Sequence, residues 1–361
     1  MNRYLCDRNS SLAWNSTSYL FVQRLDTVSI YLLPFLSIVG NALIIIVILT
    51  NQQFNRSSFS VYVQSMAISD TCVLVIKFLS YKNRKPKFYQ PSMCKIIVFS
   101  TDISLLISVW IIAVITIERT LVVLYPLHKK KFVSVSRARA IVITISILAV
   151  CIASRTLFIT IDDQIRPNFY CMPRGDWEKY RSISAIVLEF SYCYIPLSIV
   201  IIGNLLTICT VKQAVARRQN LVKTNSQKNM NSNENQLMLM LLIVTLMFIV
   251  YFVPYTIVKL TPRFVLMFNF CFTKKTLGIY TVIFSLSTLL KDLNFCTNFF
   301  IYSISGRRFR YALKGLFQKI HHHTSQQYEL TRMKSDYLIK KNSEPRLIQM
   351  SMKNTFDDTN V

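Results

Sequence analysis

The sequence predicts an all-α membrane protein, a bundle of seven transmembrane helices followed by a short amphipathic eighth helix. Three observations carry that expectation. Of 361 residues 52% are hydrophobic and only 16% charged, and the mean hydropathy of +0.37 is foreign to soluble domains. Seven segments stay apolar over the roughly 20 residues needed to cross a bilayer core about 30 Å thick. These segments are longer than the roughly ten residues of a tilted strand and do not alternate apolar with polar, which disfavours a membrane barrel.

The first span, Val28 to Thr50, carries no charge. The second, Phe59 to Ser80, contains Asp70 and Lys77, and the third, Ser92 to Leu124, contains Asp102, Glu118 and Arg119. Ala140 to Ile161 is the fourth, and Ser182 to Val211, with Glu189 and Pro196, the fifth. Gln236 to Leu260 carries Pro254 and Lys259; Thr276 to Ile304 carries Lys291, Asp292, Asn294 and Asn298. After the seventh span, Phe309, Leu313, Leu316 and Phe317 share one helix face while Arg307, Arg308, Arg310, Lys314 and Lys319 fill the rest, as an interfacial helix requires. The chain therefore divides into an extracellular N-terminus (1–27), the bundle (28–304), the amphipathic helix (305–320) and a cytoplasmic tail (321–361). That tail and the loop 212–235 are rich in Asn, Ser, Lys and Gln and are expected to be disordered.

Orientation follows from charge. HKKKF, SRARA, VKQAVARRQ and GRRFRYALK all fall in one set of loops, which places that set in the cytoplasm, although Lys82, Arg84, Lys85, Lys87, Arg263, Lys274 and Lys275 make the bias a mild one. The sequons at Asn9 and Asn15 agree with an external N-terminus. No apolar h-region occurs in the first 20 residues, so the first span is expected to direct insertion without a cleaved signal. Multi-pass insertion in the plasma membrane is the expected location. Five cysteines fall in spans, where a small buried hydrophobe is the ordinary reading; Cys6, Cys94, Cys171 and Cys271 fall outside, free to form two disulfides in three connectivities.

Composition also excludes. Six widely separated glycines build neither a G-x-G nor a P-loop, and four histidines, three of them the tail run His321 to His323, supply no zinc-protease helix or buried triad. An enzyme is not expected. The net charge of +25 would suit nucleic acid, but the basic residues lie in short loops between spans. A transporter would show internal repeats and Gly- or Pro-broken helices; no repeat is seen, and glycine is scarce.

Ionisable residues inside spans are costly and are functional candidates by default. Lys77, Asp102, Glu189, Lys259, Lys291 and Asp292 all fall at similar outer depth, describing a polar cavity that opens outward; pairing such as Lys77 with Asp292 is the alternative to ligand contact. Asp70 lies near mid-membrane with Asn41, Ser108, Asn294 and Asn298 as oxygen-bearing partners. A buried carboxylate there must be neutralised or matched by a cation. Arg119 can reach Glu118 beside it, or Glu234 at the start of the sixth helix, in a breakable pair suited to a switch.

In this order and spacing the motifs resemble those of rhodopsin-like G-protein-coupled receptors over about residues 28–320. Gly40-Asn41 is similar to the first-helix motif of that family and SMAISD, ending in Asp70, to the second; ERT followed by YPL resembles D-R-Y and its loop. Pro196, Pro254, Asn298 and Tyr302 complete the likeness. The resemblance implies a Cys94–Cys171 disulfide, leaving Cys6 and Cys271 for a second, and an allosteric sodium ion at Asp70, Ser108, Asn294 and Asn298. It further implies an activation switch of Glu118, Arg119, Glu234, Phe252, Asn298 and Tyr302, and an inner face that contacts a heterotrimeric G protein.

The chain also departs from the family pattern. Thr120, Ser146, Phe252 and Asn204 replace a Tyr, a Trp, the toggle Trp and a Tyr, and Phe299 stands where N-P-x-x-Y has proline, so the seventh helix is expected to be straighter there. The ligand pocket is expected at the outer depth shared by Lys77, Thr101, Asp102, Glu189, Lys259 and Asp292. Thr101 occupies the position where aminergic receptors carry their aspartate, and Asp102 lies about 100° further round, so an amine is disfavoured. Lys291 is about two positions from the opsin lysine, which disfavours retinal. TNFFIY followed by GRRFR, with Asn204, is similar to invertebrate FMRFamide-like neuropeptide receptors and favours a short peptide, with an anionic small ligand as the alternative.

Overall fold

The computed structural model describes residues 16–51, 57–83, 91–128, 132–159, 186–221, 232–267 and 273–357. It forms two compact units, residues 1–307 and 308–361. In the first, the helices are α1 (Ser16–Thr50), α2 (Ser58–Asn83), α3 (Pro91–Leu124), α4 (Val135–Ala153), α5 (Ile195–Leu221), α6 (Ser232–Met267), α7 (Lys274–Leu293) and α8 (Asn298–Ser305). Seven helices among the described residues are long and apolar enough to cross a membrane, in the order the sequence predicts. The fold is an all-α seven-helix bundle.

Helix α3 is central, packing on α2, α4, α5 and α6, while α1 closes on α2 and α7. The sequence explains the placement. Over Leu105 to Ile115 almost every side chain of α3 is buried, as a helix surrounded by others demands, whereas α4 buries only a stripe of Ala138, Ile145, Ala149 and Ala153. Its Ile143, Ile147, Leu148 and Val150 are exposed, an apolar face that only lipid would cover. Ser134 starts α4 by accepting from the Arg137 amide.

Boundaries differ from expectation where nothing in the sequence stops a helix. α1 begins at Ser16 rather than Val28, because the preceding turns hold no Gly or Pro. Helices α5 and α6 likewise extend into the loop expected to be irregular, to Leu221 and from Ser232. In the second unit, the helix α9 (Arg307–Asp357) continues past residue 320, where the sequence placed its end and a disordered tail. No Gly or Pro interrupts residues 316–344, and a helix can run on there with polar residues all round.

The seventh span corrects a second expectation. Although Phe299 replaces the proline, the span is not one continuous α-helix: α7 ends at Leu293, residues 294–297 form turns, and α8 starts at Asn298. The Phe295 and Cys296 amides bond three residues back, to Asp292 and Leu293, which tightens the backbone. The Phe295 carbonyl accepts from Ser37 Oγ at 3.0 Å and Asn41 Nδ2 at 3.3 Å on α1. Donors on the neighbouring helix thus supply what a missing proline amide does elsewhere.

Helix α5 is entered through a π-helical turn, Phe190–Tyr194. Pro196 has no amide to offer the Ser191 carbonyl, and that carbonyl instead accepts from the Trp110 indole of α3 at 2.9 Å. At the other end of α5, a Cβ on Gly203 would meet Thr116 Cγ2 at 2.6 Å, so only glycine permits this approach to α3.

Candidate functional site

The site is a column of polar side chains running through the bundle. At its outer end the helices are joined by ion pairs. Lys77 of α2 bonds Asp292 of α7; Asp102 of α3 meets Arg155, in the short turn of helix after α4, at 3.4 Å; and Glu189, just before the π-turn, meets Lys259 of α6 at 3.6 Å. Lys291 approaches the other oxygen of Asp292 at 3.6 Å. Five of the six residues expected in the ligand pocket are thus in ion pairs. Thr101 instead returns its hydroxyl to the Ile97 carbonyl of its own helix. Asp102 faces Arg155 rather than the bundle centre, as its rotation from Thr101 requires.

Aromatic rings floor this outer region. The Tyr192 and Tyr255 hydroxyls touch at 3.3 Å, and the Tyr255 ring carries Lys291 at 4.8 Å and Lys259 at 5.9 Å from its centroid. Below, Phe252 stacks on Phe248 with centroids 4.2 Å apart and meets Phe295 edge-on at 6.4 Å. Each such pair adds about 0.5–1.5 kcal/mol beyond area burial. The ring at the toggle position is fully buried and couples α6 to the bend of the seventh span.

Mid-membrane, Asp70 is completely buried. It accepts from Ser108 Oγ and, at 2.7 Å, from Asn298 Nδ2, and no basic side chain among the described residues pairs with it. Asn294 adds a buried amide nitrogen with no hydrogen-bond partner. A carboxylate, a hydroxyl and two amides are the hard oxygen ligands that an alkali or alkaline-earth cation takes, and two neutral donors alone do not balance a buried negative charge. Of the four residues expected around a sodium ion, Asp70, Ser108 and Asn298 are joined by hydrogen bonds, and Asn294 is buried four residues before Asn298.

Inward of this level the bonds are again neutral. Thr120, where the motif has tyrosine, accepts or donates at 3.1 Å to Thr207 and donates at 3.1 Å to the Gly203 carbonyl, joining α3 to α5. Asn204 accepts from Thr245 at 2.9 Å, joining α5 to α6. Tyr302 is buried against Phe59, edge-on at 6.2 Å.

Arg119 lies 4.0 Å from Glu118, whose carboxylate accepts from Ser58 Oγ of α2 at 3.0 Å. The Glu234 backbone belongs to α6, but its side chain lies outside the described residues, as do the side chain of Cys94 and all of Cys6, Cys171, Cys271, Asn9 and Asn15. The free thiols among the described residues are those of Cys72, Cys151, Cys193, Cys209 and Cys296.

Sequence reasoning missed Arg155, Ser58, Ser37, Tyr255 and Trp110. Arg155 carried a signal, a lone cation at the outer end of an apolar span. The serines and the tryptophan carried none, because their partners are carbonyls and carboxylates on distant helices.

The comparisons agree with this geometry. The profile of the 7 transmembrane receptor (rhodopsin family) matches residues 40–302. Among similar proteins are the C-C chemokine receptor type 1 of Macaca fascicularis, 22% identical over 80% of this chain and 79% of its own, and the cysteinyl leukotriene receptor 1 of Mus musculus, 24% identical over 60% of each. A QRFP-like peptide receptor of Branchiostoma floridae is 26% identical over 40% of this chain and 39% of its own. With seven spans in order, the motif residues gathered along one polar column and a profile match covering most of the bundle, the chain belongs to the rhodopsin family of seven-transmembrane receptors, a non-enzymatic class that signals through heterotrimeric G proteins.

Proposed function

We propose that this receptor binds an extracellular peptide in its outer cavity. One observation carries the reading: the outer half of the bundle is laced with ion pairs between helices, Lys77–Asp292, Asp102–Arg155 and Glu189–Lys259, and Lys259 lies by the rings of Tyr255 and Phe284, with the Tyr192 hydroxyl touching that of Tyr255. Groups of both signs beside aromatic rings suit a ligand that itself carries both charges and apolar side chains, as a peptide does. Two of the relatives are named for a chemokine and for a QRFP-like peptide, which favours the same class, and the motif likeness to FMRFamide-like receptors narrows it to a short neuropeptide. An anionic small ligand is the second reading, favoured by the two lysines that share Asp292.

In this reading the N-terminus is extracellular with glycans at Asn9 and Asn15, the C-terminus is cytoplasmic, and Cys94–Cys171 ties the third helix to the following external loop at the plasma membrane. The ligand competes for one partner of an outer ion pair, which loosens the helices that pair holds. Helix α6 then swings about Pro254, parting Thr245 from Asn204 and freeing Arg119 from Glu118 to meet the G protein. The ligand drives this only by binding the open form more tightly. A sodium ion held by Asp70, Ser108, Asn294 and Asn298 would neutralise the buried carboxylate and favour the resting form.

The test is calcium release in cells co-expressing the chain and a promiscuous G-protein subunit, challenged with amidated neuropeptides, amines and nucleotides. A peptide response removed by Arg119→Ala supports the reading. A response to nucleotides or lipid acids alone replaces it with the second.

A further inference from the structure

The turns that α1 adds ahead of Val28 line a cavity between α1, α2 and α7 at the outer end of the bundle. Asp26 and Ser29 stand on the α1 wall, Lys77 on the α2 wall, and Thr281, Ser285 and Thr288 on the α7 wall. The volume is about 280 Å³. That is at the lower edge of the roughly 300–1,000 Å³ of small-molecule pockets, so the cavity admits one side chain or one chain terminus rather than a whole peptide.

The hydroxyls of these walls have already placed their protons. Ser29 donates to the Asp26 carbonyl at 3.0 Å, and Thr281 and Thr288 donate to the carbonyls of Leu277 and Phe284, each at 2.8 Å. Ser285, itself buried, donates to the Asp26 carboxylate at 2.9 Å. What these groups still offer a guest is lone pairs. Lys77, the only cation among the described lining residues, is bonded to Asp292.

The pairing of charges agrees. Around the cavity and the rings beside it stand Lys77, Lys259 and Lys291 with Asp26, Glu189 and Asp292, a set with no net charge. The sharing is uneven. Lys259 meets Glu189, while Lys77 and Lys291 both meet Asp292; Asp26 has Ser285 and, among the described residues, no ion pair. Arg24 is two residues from Asp26 on α1, about 200° round the helix, and does not line the cavity. Asp26 is exposed, so a cation reaching it replaces solvent and has no resident partner to displace.

We propose that this cavity is a subsite for one cationic group of the ligand, an ammonium or a guanidinium, with Asp26 as its counter-charge and the hydroxyl oxygens of Ser29, Thr281 and Thr288 as further acceptors. The inference rests on the outer half being the ligand site and names the group that enters it: the free N-terminus of a peptide, or a Lys or Arg side chain. An ammonium carries three donors, a guanidinium five, and neither has an acceptor, which is the complement of walls that offer lone pairs. Ile30 and Phe284 line the same cavity and take the carbon skeleton. Lys77 stays on Asp292.

The experiment has two arms. In cells carrying the full chain and a promiscuous G-protein subunit, peptides are supplied as matched pairs, free against acetylated N-terminus, Arg against citrulline and Lys against acetyl-lysine, with surface expression measured throughout. Removing the positive charge should lower potency about tenfold or more, the worth of one charged hydrogen bond. That difference should vanish in Asp26→Asn and persist in Asp26→Glu. Which pair carries the loss tells a terminus from a side chain.

The second arm needs no agonist and decides where no peptide acts. The purified receptor in detergent is melted with benzylammonium chloride against benzyl alcohol at matched salt, and the cation alone should raise the melting temperature, in the parent chain but not in Asp26→Asn. Should Asp26→Asn fail to reach the surface or to purify, Asp26→Ala serves in its place. If every peptide is silent yet benzylammonium stabilises the parent selectively, the peptide reading falls and the cation subsite stands. Equal potency within all active pairs, a charge-dependent loss that Asp26→Asn leaves unchanged, or, with every peptide silent, no stabilisation by benzylammonium that Asp26→Asn removes, overturns the inference.

Discussion

The outer and inner halves of the bundle are joined by different chemistry. Outside the level of Asp70, helices are coupled by full charges, Lys77 with Asp292, Asp102 with Arg155 and Glu189 with Lys259. Inside it, α3, α5 and α6 are coupled by hydroxyls and an amide, Thr120 with Thr207 and Gly203, and Thr245 with Asn204. A neutral hydrogen bond contributes about 1 kcal/mol net, little enough to be made and broken in a signalling cycle. A buried ion pair with one partner removed costs about 3–5 kcal/mol, so only a substitute charge can displace it. The proposed function uses this division: the charged half would select among entrants and the neutral half would respond.

The comparison can be broken most severely at the exception to it, the inner charge of Arg119. Arg119→Ala is expected to abolish ligand-stimulated G-protein activation while leaving surface immunostaining near the parent level; full signalling would show that the inner half works without this cation. Next in size is Asp292→Asn. This carboxylate is 3% exposed and serves two lysines, so its neutralisation should lower stability by about 3–5 kcal/mol, read as a lower melting temperature in detergent. Lys77→Met should cost clearly less, since Lys77 is 38% exposed and Asp292 keeps Lys291. Equal losses would mean that the outer pairs are not buried charges in any useful sense.

Gly203→Ala probes the inner half by packing alone. Its methyl must displace Thr116 Cγ2 from 2.6 Å and crowd Thr120 Oγ1 at 3.1 Å, at an overpacking cost of about 1–3 kcal/mol that thermal unfolding will register. Smallest is Thr245→Val, which removes the bond to Asn204 at about 1 kcal/mol. Its signature is higher ligand-independent G-protein activity, roughly fivefold if the whole of that energy favours the open form. Unchanged basal activity would show that α6 is held elsewhere.

The sequence made the fold legible because seven apolar runs of the right length leave little freedom, and it made much of the column legible because Asp70, Ser108 and Asn298 are spaced to meet at one depth. Depth is what one dimension can give. Azimuth and partner are not, and so Arg155, a cation near the end of a span, was passed over as the mate of Asp102, and Ser58 as the donor to Glu118. The seventh span shows the limit most plainly. Reading Phe299 as the loss of a kink assumed that the bend is written in its own helix, when Ser37 and Asn41 on α1 bond the Phe295 carbonyl. The terminal helix went wrong for the opposite reason, since polarity forbids a core but does not forbid a helix, and α9 runs to Asp357.

That clasp between the first span and the seventh joins residues 258 positions apart. During synthesis, α1 enters the bilayer with Ser37 and Asn41 already in place and waits for nearly the whole bundle to be translated before their acceptor arrives. Until then Asn41 can bond Ser37 Oγ beside it, and Thr71 once α2 is in place, while the Ser37 hydroxyl lacks its acceptor. A chain that ends before the seventh span leaves the Ser37 hydroxyl without the carbonyl it meets in the finished fold.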